Sequence, residues 1–240
     1  MSEDTPRLKH KYGRINKELG FKYATMEPKD DGPAYMVNLM KYHEVAQYEG
    51  DAPGENISGK EADDRYNPSS VLNKIGADVM FYGDVVANHL GDEDWDRIGI
   101  VRYATRRSFI EMQSRKDFAD KHQHKAAGML RTILPVCRPV DESIDSHPRP
   151  GQDDLNFGWV VMVVRQSQDR EAAYAALPEA TNFWVEGTII GDERQWDTVQ
   201  FINAGSEANA KAIGDKVAAG LTAGEAFVMT LRTTMDGLTG

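Results

Sequence analysis

The chain has 240 residues, enough for one large domain or for two of roughly 100 residues, and either can bury a substantial core. Its 28 Lys and Arg stand against 38 Asp and Glu, and the resulting formal charge of −10 disfavours a nucleic-acid backbone or an anionic membrane surface as partner. The single cysteine, Cys137, excludes an internal disulfide framework and a thiolate-rich metal site and fits a reducing cytoplasm, while a charged amino terminus indicates no export and no apolar run approaches the roughly 18 to 20 residues of a membrane span.

Residues 1–33 are rich in charge and end in the breaker cluster Lys29-Asp30-Asp31-Gly32-Pro33, which predicts an arm, partly helical at most. A strand over 34–42 and a loop around Glu49 to Gly54 follow. Residues 58–75 have helical patterning, with Ser58 and Glu61 spaced as a capping box and an interruption at Pro68. Strands are predicted over 79–90 and 95–103, joined by an acidic turn at 91–94. Thr105 caps a helix carrying Phe109 and Met112, a helical piece over 117–131 places Phe118, His122, Ala126, Met129 and Ile133 on one face, and 133–140 reads as a strand.

Residues 141–156, with Pro148, Pro150 and Gly151, have the composition of an interdomain connection. Beyond it a strand over 159–165, a short helix over 169–177, a hairpin of 183–190 with 196–203, a helix over 206–219 and a strand over 225–233 repeat the βαββαβ order of 34–140. The repetition extends to sequence: Gly91-Asp92-Glu93-Asp94-Trp95-Asp96 and Gly191-Asp192-Glu193-Arg194-Gln195-Trp196-Asp197 each lead into an apolar run, with one extra residue in the second copy. The expected fold is therefore α+β, two ferredoxin-like repeats over 34–140 and 157–240 with their antiparallel sheets packed face to face as an α/β barrel.

Met36-Val-Asn-Leu-Met-Lys41, Ile75-Gly76-Ala77, Trp95-Asp96-Arg97-Ile98, and Phe118 followed seven residues later by Lys125-Ala126-Ala127 resemble the DUF1330 family of the dimeric α/β-barrel superfamily, over roughly residues 34–140. The chain departs from that family's usual Pro-Ser after the third strand, with Ala104-Thr105, and from its usual late-helix Arg, with Lys125, whose ammonium cannot reproduce a guanidinium fork. The resemblance implies sheets joined into a barrel, here within one chain, so that a monomer is expected as the minimal unit unless it associates further into a homo-oligomer. The superfamily includes cofactor-free monooxygenases, lactone isomerases and polyketide cyclases as well as tandem haem enzymes resembling chlorite dismutases and dye-decolorising peroxidases, so fold alone decides no function. In the haem enzymes the proximal histidine lies in the second repeat. No histidine follows His147 here, which argues against haem.

Among residues that could carry chemistry, His122 on an apolar helix face suits acid/base work near neutral pH, or else is a core histidine satisfied by one carbonyl. His124 projects roughly 200° away, so the two make a poor chelate. Asn38 interrupts an apolar strand, where its amide either meets a ligand oxygen or bonds an adjacent loop. Tyr66 and Arg65 offer a phenol and a guanidinium, His89 ends a strand where it reaches a pocket mouth or pairs with Asp92, and Arg106 opens a helix where an anion, usually a protein carboxylate, compensates it. Dinucleotide, phosphate-loop and nucleophile-elbow motifs are absent.

These residues predict a cofactor-independent enzyme of lyase, isomerase or cyclase type acting on a small, partly apolar, even aromatic metabolite. His122, His124 and Tyr66 would be catalytic, and Asn38, His89, Arg65 and Arg106 would bind substrate, with no metal or cofactor. The competing expectation is a non-catalytic ligand-binding or stress-related protein with the same cavity. The second repeat reads as a scaffold, in which Glu186→Gln should matter little.

Overall fold

The computed structural model describes residues 11–49, 56–151 and 155–239. In chain order it contains β1 (Arg14–Ile15), α1 (Lys17–Ala24), β2 (Ala34–Tyr42), α2 (Gly59–Arg65), α3 (Ser69–Lys74), β3 (Asp78–Leu90), β4 (Arg97–Tyr103), α4 (Arg106–Gln113), α5 (Lys116–Gly128), β5 (Met129–Pro139), a 3-10 turn (Glu142–Ser146), β6 (Trp159–Arg165), α6 (Arg170–Ala175), β7 (Thr181–Gly191), β8 (Thr198–Asn203), α7 (Glu207–Ala218) and β9 (Ala226–Asp236). No helix among the described residues is long and apolar enough to cross a membrane.

The strands form one mixed α+β architecture around a closed antiparallel barrel. Their order is β5-β2-β4-β3 in the first half and β9-β6-β8-β7 in the second, and the two groups join at both edges, β3 to β9 and β5 to β7. The two sheets therefore close around one lumen as the expected antiparallel α/β barrel, joined to each other at both edges. Long β3 and β7 make this possible, because each outruns its hairpin partner and pairs with the other half. Side-chain alternation then sorts the strands: Val37 and Leu39 of β2, Ile100 of β4, Met162 of β6, Phe201 of β8 and Met229 of β9 fill the lumen, all fully buried, while Met36 and Asn38 face the helices.

The repeated acidic turns meet at one end of the barrel. Arg194, at the turn of the longer copy, reaches across to Asp92 at 2.8 Å and Glu93 at 3.0 Å, and also pairs with Asp192. Beneath them Trp95 and Trp196 are both buried and pack on Phe227, with ring centroids 5.5 and 4.9 Å away. Both tryptophans precede the strands they were expected to open, because Asp96 and Asp197 still belong to the turns while donating to Met40 and Arg165 across the neighbouring strand.

Several expected boundaries move. The helix predicted over 117–131 ends at Gly128, where the carbonyls of Ala127 and Gly128 accept from Gln47 and His43, so Met129 and Ile133 belong to β5. The amino-terminal arm contains β1 and α1, and β1 pairs with the end of β7. The 141–156 connection carries Ile144 into the barrel core, and Asp145 accepts from Tyr35 at 2.9 Å and Arg102 at 3.0 Å.

Candidate functional site

Between the outer face of the first-half sheet and helices α3, α4 and α5 lies a cavity of about 80 Å³. That is room for about five water-sized atoms. Its walls are mostly apolar, among them Met36, Leu72, Val101, Phe109 and Phe118, and its polar groups are Tyr12, Asn38, Tyr66, Tyr103, Gln113, His122, Lys125 and Thr132.

Helix α5 supplies the ionisable pair. Phe118, His122 and Lys125 follow one another at i, i+4 and i+7, which puts all three on the face toward the sheet. His122 is buried, and its Nε2 shares a 2.7 Å hydrogen bond with the Tyr12 hydroxyl. Tyr12 is placed by its own backbone, since its carbonyl accepts from Thr132 of β5 at 2.8 Å. Gly13 permits that approach, because a Cβ there would stand 2.6 Å from Ile190.

Lys125 donates from Nζ to Asn38 Oδ1 at 3.2 Å and lies 5.4 Å from the centre of the Tyr66 ring. Among the described residues no carboxylate stands within ion-pair distance of it. Burial lowers its pKa from the ordinary lysine value, opposed by the charge of Asp63. Asn38 is oriented to receive it: Nδ2 donates to the carbonyls of Met36 and Gly99, both at 3.3 Å, which leaves Oδ1 for the ammonium. The strand amide thus holds a cation, neither bonding a loop nor waiting bare for a ligand.

Tyr66 caps α2, its N–H donating to the carbonyls of Ala62 and Asp63, and Pro68 then turns the chain into α3. The phenol consequently meets Phe118 and His122 edge on, at centroid distances of 6.2 and 6.4 Å. Burial raises the pKa of Tyr12, Tyr66 and Tyr103, so all three line the cavity as neutral phenols. Gln113 Oε1, at the end of α4, is buried with no hydrogen-bond partner among the described residues.

The cavity therefore unites three of the predicted residues, His122, Asn38 and Tyr66, and the other four lie elsewhere. His124 faces away and bonds the Tyr48 hydroxyl through Nδ1 at 2.9 Å. Arg65 ends α2 and reaches Glu61 at 3.5 Å, as i, i+4 spacing on an exposed face dictates. His89 does not meet Asp92; it is held by Asp215 of α7 at 2.7 Å and Thr230 of β9 at 2.8 Å, because β3 leaves its own hairpin there to pair with the second half. Arg106 donates through Nε and Nη2 to both oxygens of Glu186, the Nε bond being 2.7 Å, and its own N–H donates to Asp31 at 2.8 Å. Glu186 also accepts from Tyr23 at 3.1 Å, so the second half carries a buried charge that the expectation of a bland scaffold overlooked.

Five polar groups of the cavity, Tyr12, Tyr103, Gln113, Lys125 and Thr132, were not among the sequence candidates. A lysine three residues after His122 on an apolar helix face was a readable signal; Tyr12 left none, since only the folded arm brings it 110 positions along the chain to His122. Among the described residues no cluster of three or more His, Cys, Asp or Glu is arranged to hold a metal ion.

No protein-family model matches the chain, and no curated protein does. Two solved structures are similar to part of it. One is RPA0582 from Rhodopseudomonas palustris, described as a protein of unknown function, at 25% identity and a TM-score of 0.43 over 52% of this chain and 94% of that one. The other is methylated RPA0582, at 26% identity and a TM-score of 0.45 over 54% and 96%.

Proposed function

We propose that this chain is a cofactor-independent enzyme that moves protons on a small carbonyl compound, in chemistry of the lyase, isomerase or cyclase type. Support comes chiefly from one observation: a lysine with no carboxylate partner among the described residues shares a small, largely apolar cavity with a buried phenol–imidazole pair. A carbonyl oxygen near Lys125 and Tyr66 would have its developing negative charge stabilised by an ammonium and a neutral phenol, in surroundings of low polarity where such contacts are strong. His122 would take the proton from the adjacent carbon, with Tyr12 holding the imidazole and relaying the proton. The unpartnered Gln113 Oε1 would accept from a hydroxyl or amine on the same compound. In the same reading the two halves are ferredoxin-like units in tandem, the first of DUF1330 type, a view supported by their shared strand order.

Hydrogen–deuterium exchange at the carbon beside the carbonyl tests this directly. Acetone, butanone and propanal in D₂O are followed by NMR with and without the protein. Exchange should be accelerated, and His122→Ala should reduce the acceleration by about 10² to 10⁴ at unchanged melting temperature. Binding of these probes without any acceleration would overturn the enzymatic reading in favour of a ligand-holding protein, which the small and mostly apolar cavity also suits.

A further inference from the structure

We infer that Lys125 is a nucleophile that condenses with a small aldehyde or ketone to form an imine, so that the proton chemistry proceeds covalently. The inference rests on the reading of the cavity as an acid/base site and adds the identity of the bond. Geometry sets Lys125 apart from surface lysines such as Lys17, Lys29 and Lys211, which are exposed to water. Its Nζ lies beside a cavity, is anchored by one neutral acceptor, Asn38 Oδ1, and faces the Tyr66 ring, with no carboxylate among the described residues to lock it as an ammonium. Desolvation of this kind favours the uncharged amine, which is the form that attacks carbonyl carbon.

The remaining parts serve the same step. Lys125 first passes one proton from its ammonium to the Tyr12–His122 pair; the Nζ lone pair then attacks the carbonyl carbon, the C=O π pair moves to oxygen, and oxygen takes that proton while nitrogen gives a further one to the pair. The nitrogen lone pair then expels that oxygen, which leaves as water after receiving a second proton. The balance is one carbonyl compound plus one lysine ammonium giving one protonated imine plus one water. Cationic nitrogen now withdraws electrons from the neighbouring carbon, and His122 is placed to remove its proton. A cavity of about 80 Å³ suits a small aldehyde or ketone.

Reductive trapping on the intact wild-type chain tests the inference without any variant. The protein is incubated with butanone and cyanoborohydride, then digested and mapped by mass spectrometry. A sec-butyl adduct should form faster on Lys125 than on Lys17, Lys29 or Lys211, since an amine with a lowered pKa holds more free base at neutral pH. Lys125→Arg, which retains a cation, should lose that adduct. Trapping at Lys125 no faster than at the surface lysines overturns the covalent step. If deuterium exchange persists in that case, the acid/base reading stands and only the imine falls; if exchange is absent while Lys125 is trapped, the imine stands and the acid/base reading falls.

Discussion

A lysine on the sheet-facing side of α5, with no carboxylate within ion-pair distance among the described residues, has a thermodynamic signature separate from any activity. The folded protein holds Lys125 at a pKa below the ordinary 10.5, so it binds that proton less tightly than the unfolded chain does. The resulting cost is full below the folded pKa and disappears as pH rises through it toward 10.5. Replacing Lys125 with Met removes the cost, and the variant should be more stable at pH 7 by about 0.5–2 kcal/mol, a gain that shrinks as pH approaches the ordinary lysine value. Denaturant melts at several pH values measure this; a destabilised Lys125→Met at neutral pH would mean that the ammonium is a structural asset. A gain in stability paired with loss of exchange activity is the trade expected of a residue kept for chemistry.

At the scale of elements, the site depends on how closely α2 can cross α5. A Cβ on Gly128 would stand 2.2 Å from the Gly59 carbonyl oxygen, and one on Gly59 would stand 2.4 Å from the Gly128 oxygen, so two glycines meet backbone to backbone. Tyr66 is carried into the cavity by that contact. Gly128→Ala should cost about 1–3 kcal/mol by overpacking and should also weaken probe binding, although residue 128 lines no part of the cavity. Melting curves and butanone titration of the same sample check both halves of that expectation. The helices themselves were readable from local chemistry: Ser58 and Thr105 cap α2 and α4 through their side chains, and Pro68 divides α2 from α3 as its missing N–H requires. Strand order within each half also followed from the βαββαβ pattern. What local chemistry could not reveal was any contact made by leaving one's own half, so the partners of His89 and Glu186 were not legible, and for Arg106 only the kind of partner, a protein carboxylate, could be read. The end of α5 was hidden because the N–H groups that donate to the carbonyls of its last turn come from the loop after β2, within the same half but far earlier in the chain.

For the whole molecule, the joins between the halves matter more than their likeness. Glu186 of β7 receives Arg106 from α4 and Tyr23 from α1, with both members of the ion pair nearly buried. Glu186→Gln therefore should destabilise the fold by about 1.5–3 kcal/mol, because a neutral amide cannot answer a guanidinium that stays in place. A denaturation midpoint unchanged from the parent would show that solvent compensates Arg106. Closure of the barrel works in the same direction: every edge of the two four-strand groups is used inside the chain, so neither half presents a free sheet edge of the kind that recruits another strand.

One difference of residue between the halves, at the same register, reaches further than packing. Asn38 stands opposite Gly99 in the first half, whereas Val163 stands opposite Gln200 in the second. There the fully buried Gln200 amide bonds Arg165 and Asn182, each at 2.7 Å, and the Ala173 carbonyl of α6 at 3.1 Å, occupying space that Gly99 leaves open. A barrel built from two identical chains would carry its pocket twice, with saturation open to cross-talk between copies. Here the corresponding space in the second half is filled by Gln200, so calorimetric titration should give one molar equivalent of ligand at this site per chain, and the two halves of one chain cannot cooperate through twin copies of it.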